Sequence, residues 1–119
     1  MSGPELEWKR AIRVDDVPIN SGGVVLIEGH QIALFRFQNP ETWYACQNQC
    51  PHKLDMVLGR GLIGDEKGEP KVACPMHKKT FSLLSGKSLS GEAYCVDVYP
   101  VKVENGFAWV GLAAVEAGI

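Results

Sequence analysis

Four residues of this chain fall in two tight pairs, Cys50-Pro51-His52 and Cys74-Pro75-Met76-His77. The pattern reads C-x-H, 21 intervening residues, then C-x-x-H. Each segment offers one thiolate and one imidazole, donors that suit transition metals. A structural zinc site more often takes both cysteines from one knuckle and both histidines from another. Mixed pairs suit a 2Fe–2S cluster in which one iron is held by two cysteines and the other by two histidines. Each loop then gives one residue to each iron. The short spacings let neighbouring side chains reach adjacent irons, and Pro51 and Pro75 stiffen the backbone beside each cysteine. A mononuclear zinc or iron site, as in a Cys2His2 zinc interaction module, is the competing reading of the same donors.

Formal charge gives the mixed ligand set a purpose. Two ferric ions, two sulfides and two thiolates sum to zero with neutral histidines, and reduction adds one negative charge. An all-cysteine cluster starts two units more negative and resists the incoming electron more, so histidine ligation raises the potential.

Short strands must carry these loops. Ala33, Phe35 and Phe37 share one face of a strand over 31–37, while Ile32 and Leu34 take the other. The segment 42–46, with Trp43 and Tyr44, is rich in strand formers. Val96 and Val98 alternate with Cys95, Asp97 and Tyr99. The apolar phase slips at Pro100, which suggests a bulge or an edge. Asn105-Gly106 between two apolar runs is a strong hairpin signal, and Glu28-Gly29 and Ser85-Gly86 mark further turns. No stretch of about ten residues keeps a helical apolar period. The expected fold is all-β, an antiparallel sandwich or barrel. Residues 58–71, with four glycines, read as a long surface loop.

The chain has 119 residues, 45% apolar and 22% charged, which points to one soluble globular domain over 1–119. Its net charge of 12 − 14 = −2 provides no general basic field for nucleic acid. No unbroken apolar run exceeds four residues, as at 24–27, so no membrane span is expected. The N-terminal MSGPELEWKR lacks the pattern of a secretory signal, so the expected compartment is the cytoplasm. There, cysteines serve as metal ligands or reduced thiols rather than a disulfide framework.

The two boxes resemble the Rieske iron–sulfur signature. By that resemblance Cys50 and Cys74 hold the inner iron of a 2Fe–2S cluster, and His52 and His77 the outer, more exposed one. The fold implied is a Rieske-type domain whose two-loop cluster-binding subdomain covers about 48–88. High-potential respiratory members carry an extra cysteine in each loop and a serine near the sulfurs, and neither is matched here. The resemblance therefore implies a potential in the lower part of the Rieske span of roughly −150 to +300 mV.

Ring-hydroxylating dioxygenase ferredoxins usually read C-P-W-H-G in the second box, where this chain has Met76 and Lys78. The stretch VLGRGLIGDEKGEPKVACPMHKKTFSLLSGKSL instead resembles the small subunit of assimilatory NAD(P)H nitrite reductase, in its VL-x-RG-x-x-GD and F-x-L-x-x-G strings. The likeness runs from about Val14 to Val110. It implies a large partner subunit carrying FAD, a 4Fe–4S cluster and sirohaem, which reduces nitrite to ammonium in nitrate assimilation. A ferredoxin serving an oxygenase, or another redox protein, is the alternative within the same cofactor class. The chain shows no G-x-G-x-x-G opening a helix and no nucleophile–base pair, so no catalytic acid–base residue is assigned. Electron transfer and structural support of the partner both stay open, as does NADH against NADPH.

Other residues carry plainer expectations. Cys46 and Cys95 read as buried reduced thiols, with a disulfide between them the lesser alternative. His30 reads as a surface turn residue. Lys53, Lys78 and Lys79 either meet an acidic docking face or are simply solvated. Met76, Leu54 and Pro51 are expected to shield the cluster sulfurs, and residues 88–93 to form a covering loop. Trp8, Trp43, Trp109, Phe35, Phe81 and Phe107 are expected in the core.

Overall fold

In a computed structural model of the chain, the strand β3 (His30–Phe37) is buried on both faces, and each face builds a different core. Ala33, Phe35 and the half-buried Phe37 enter one core, and Ile32 and Leu34 the other. The period-two alternation of the sequence thus sorts two apolar sets rather than separating core from solvent. The structure describes residues 6–38, 41–51, 54–66, 68–76, 78–91 and 93–113.

Three antiparallel sheets surround these cores. β2 (Ser21–Ile27), β3, β4 (Thr42–Gln47) and β8 (Val98–Tyr99) form a four-stranded sheet in that order. β1 (Leu6–Arg13), β10 (Phe107–Ala113) and β9 (Val101–Glu104) form the second, in the order β1-β10-β9. β5 (Leu62–Glu66), β6 (Glu69–Ala73) and β7 (Thr80–Ser82) form the third. The first two pack Ile32, Leu34, Trp43 and Ala45 against Ala108, Val110 and Leu112. The all-β antiparallel expectation holds.

Local chemistry closes the hairpins. Glu28 and Gly29 have φ of 51° and 84°, Asn105 and Gly106 of 54° and 82°. Each pair bridges two strands directly, Ile27 opposite His30 and Glu104 opposite Phe107, which is the left-handed two-residue turn expected of such sequences. Gly86 (φ 81°) has a second constraint: an added Cβ would lie 2.0 Å from the Val96 carbonyl oxygen.

Pro100 has a role beyond the bulge or edge its phase slip suggests. Val98–Tyr99 pairs with β4, whereas Val101–Glu104 pairs with β10. The proline marks where the chain leaves one sheet for another, at an edge of both, where a missing N–H interrupts no ladder. Residues 58–71 are not a long loop. They form a short 3₁₀ turn, Leu58–Arg60, and then the β5–β6 hairpin, with Leu62 opposite Ala73 and Glu66 opposite Glu69. Their charged residues lie on a solvated ribbon, so the sequence shows little apolar alternation.

The aromatic residues divide. Phe35, Phe81 and Trp43 are buried. Trp8, Phe107 and Trp109 are only half-buried, on the outer face of β1-β10-β9, because register and alternation point Ala108, Val110 and Leu112 inward.

Candidate metal centre

Cys50 leaves the end of β4 and Cys74 the end of β6, and the backbone does the same thing after each. The Leu54 N–H donates to the Cys50 carbonyl (2.7 Å) and the Cys50 N–H to the Asp55 carbonyl (2.8 Å). In the second loop the Lys78 N–H donates to the Cys74 carbonyl (2.8 Å) and the Cys74 N–H to the Lys79 carbonyl (2.7 Å). Leu54 and Lys78, each four residues after its cysteine, have φ of 64° and 60°. The loops are equal in length and closed by the same pair of bonds, so each is a repeat of the other.

Both cysteines are buried, 0% and 1% exposed, in one core with Phe35, Leu58, Val72, Phe81 and Leu83. Two water-excluded thiols on equivalent loops fit a thiolate-ligated centre, because such surroundings protect metal–sulfur bonds and tune their electronics. By sequence, His52 lies inside the first closed loop and His77 inside the second. His52, His77 and Lys53 are outside the described residues.

Anchors outside the loops hold the first one in place. Asn48, two residues before Cys50, is 2% exposed. Its Nδ2 donates to Gln31 Oε1 (2.9 Å), and its Oδ1 accepts the Gly59 N–H (2.7 Å). Its own N–H donates to the Gln31 carbonyl and its carbonyl accepts the Leu58 N–H, both at 3.0 Å. One buried amide thus ties β3, the approach to Cys50 and the 3₁₀ turn together, with the side chain bonded at both ends. Gly59 allows this approach, since a Cβ there would lie 2.3 Å from Val24 Cγ2.

Ser82, at the end of β7 away from the second loop, anchors the turn that follows it to β6. Its buried hydroxyl donates to Glu69 Oε2 (2.5 Å) and accepts the N–H groups of Leu84 (3.1 Å) and Ser85 (3.2 Å). Sequence reasoning missed both anchors. A lone Asn or Ser has no pattern, and only burial and partners distinguish it from a surface residue.

The segment after β7 folds back on the first residue of β7. Leu89 N–H donates to the Thr80 carbonyl (2.7 Å), and Thr80 N–H donates to Ser90 Oγ (2.9 Å). Leu54 and Met76 differ from expectation. They are 65% and 59% exposed, while Pro51 is half-buried. Lys78 is exposed, and so is His30 at its turn.

The remaining cysteines separate. Both are free, Cys46 buried and Cys95 exposed in a bridge to Lys87, which corrects the reading of Cys95 as buried and leaves no disulfide between them. Burial pushes the Cys46 thiol up to about 12, so it stays protonated and inert. A cavity of about 430 Å³ lies between β4 and the β5–β6 hairpin, lined by Phe37, Tyr44, Ile63 and Asp65, and none of the cysteines faces it.

The Rieske-like 2Fe–2S domain family matches residues 7–111. The chain is 33% identical over 100 residues to the small subunit of NADH nitrite reductase of Escherichia coli K12, covering 84% of this chain and 93% of that one. It is 40% identical over 108 residues to the large subunit of NAD(P)H nitrite reductase of Klebsiella oxytoca, covering 91% of this chain and only 11% of that longer polypeptide. A crystal structure from Mycobacterium tuberculosis, described as an NADH-dependent nitrite reductase small subunit, superposes with a TM-score of 0.85 at 33% identity, covering 92% of this chain and 98% of that one. Twin cysteine loops on an antiparallel β framework, a family match across nearly all of the described residues and these relatives lead to one conclusion: the chain belongs to the Rieske-like 2Fe–2S domain family, among the nitrite reductase small subunits.

Proposed function

We propose that Cys50, His52, Cys74 and His77 hold a Rieske-type 2Fe–2S cluster, and that the chain is the electron-transfer small subunit of an NAD(P)H-dependent nitrite reductase. Residues 1–119 act as one domain, with about 48–88 as its cluster-binding part. The observation that carries the reading is the equivalence of the two cysteine loops, closed by matching hydrogen bonds and converging on one buried core. When bound, the cluster supplies single-electron chemistry. Cys50 and Cys74 give their thiolates from the water-excluded side. His52 and His77 bind neutral through one ring nitrogen, which leaves the other to meet a partner or solvent.

The partner proposed is a large subunit bearing FAD, a 4Fe–4S cluster and sirohaem, where nitrite is reduced to ammonium. The compartment proposed is the cytoplasm. Among the described residues no helix is long and apolar enough to cross a membrane.

Dithionite reduction followed by electron paramagnetic resonance is the decisive experiment. The expected protein is red-brown, with a Rieske signal that His52→Ala or His77→Ala abolishes. A colourless protein containing one zinc ion overturns the cluster assignment. Co-purification with a sirohaem flavoprotein supports the nitrite reductase role, whereas coupling only to an oxygenase makes the chain a free-standing ferredoxin.

A further inference from the structure

The sheet β1-β10-β9 has one face packed in the core and one face to which no element is packed among the described residues. Register and alternation place Trp8, Arg10, Arg13, Lys102, Phe107 and Trp109 on that outer face, together with Glu104 opposite Phe107. The Lys102 ammonium lies 4.7 Å from the Trp8 ring centre and 5.9 Å from that of Trp109, and the Arg10 guanidinium lies 4.7 Å over Phe107. Three cations stand there against one carboxylate: Glu104 lies 3.8 Å from Lys102, which leaves Arg10 and Arg13 as the excess positive charge of the face, in a chain whose net charge is −2. Rigid aromatic rings and arginine are the residue types that anchor protein interfaces.

Both ends of the described chain lie on this sheet. β1 begins beside the end of β10, with Leu6 opposite Ala113. The cysteine loops lie across β3, with the other core.

Resting on the nitrite reductase reading, we propose that the outer face of β1-β10-β9 anchors this subunit to an acidic, carboxylate-bearing surface of the large subunit. The face carries binding energy, not the electron path, so weakening it lowers affinity and leaves the cluster's spectrum and potential unchanged. Electrostatic complementarity of this kind also makes binding fall with salt.

The test is titration of the full-length, cluster-loaded chain against the isolated large subunit, with Lys102→Glu and Trp109→Ala as variants and Leu62→Ser on the edge of β5 as surface control. Each of the two variants is expected to weaken binding roughly tenfold or more, with the control at wild-type affinity and all spectra alike. Wild-type affinity in both variants, with their spectra intact, overturns the anchoring face and leaves the nitrite reductase reading standing. A wild-type chain that does not bind the large subunit sinks both. A wild-type chain that self-associates through this face, shown by light scattering as a dimer that Trp109→Ala dissolves, overturns the proposal in favour of a second copy.

Discussion

Leu54 and Lys78 occupy the same position in two different loops: each follows its cysteine by four residues, adopts φ near 60° and donates its N–H to that cysteine's carbonyl. Neither is a glycine, although the left-handed region is costly for residues with a Cβ. The backbone around both candidate thiolates is therefore held under local strain that the surrounding fold overcomes.

Leu54→Gly and Lys78→Gly are expected to stabilise the protein by about 0.5–1 kcal/mol each. Both side chains are largely exposed, so little packing is lost. Urea unfolding checks this, and destabilisation of both variants would contradict the strain.

Asn48→Ala leaves the Gly59 N–H and the Gln31 side-chain carbonyl without their partner. Stranding the buried Gly59 N–H costs about 1–3 kcal/mol, whereas exposed Gln31 can turn to water, so the variant is expected to lose roughly 1–3 kcal/mol of stability. Because these bonds hold the approach to Cys50, the variant is also expected to release its cluster faster on mild heating. A fall in stability with no change in release would confine Asn48 to general folding.

Burial disfavours the Cys46 thiolate and pushes the thiol from its ordinary value of 9.0 up to about 12. The neutral thiol is compatible with the fold, so its contribution is complete below pH 9. It is lost as pH rises through the window from about 9 to about 12. Stability profiles in alkaline buffer are expected to fall less steeply for Cys46→Ala than for wild type, and identical slopes would count against this. Tyr99 is raised in the same direction, by burial first and then by Asp97 and Cys46, so some slope persists in the variant. A thiol reagent at neutral pH is expected to label the exposed Cys95 and leave Cys46 untouched until unfolding.

A redox titration of the loaded protein is expected to give a midpoint in the lower part of the Rieske span of roughly −150 to +300 mV. Neither loop carries the extra cysteine of high-potential members, and their usual serine position is not matched. A value well above zero would refute this.

Much of the architecture was legible along the chain. The alternation over 31–37 separated the two faces of β3, and Glu28-Gly29 and Asn105-Gly106 announced their turns, because strand period and positive φ are local properties of the backbone. The β5–β6 hairpin was hidden, because its stability comes from pairing and from the core on one side, not from a run of apolar residues. Cys95 also misled: it alternates correctly with Val96, yet it lies in an isolated bridge to Lys87, outside any strand, where its side of the chain meets solvent.

The identity of the candidate donors and their spacing belong to the sequence alone, since the ligand chemistry of sulfur and imidazole is intrinsic to the residues. Tertiary structure decided that the two cysteines share one buried core, that their loops repeat the same hydrogen bonds, that Asn48 fastens the approach to the first loop, and that Ser82 fastens the turn after β7 to β6. Those facts depend on contacts between residues far apart in the chain, such as Asn48 with Gln31 and Ser82 with Glu69, which form only when β3 and β6 are already in place.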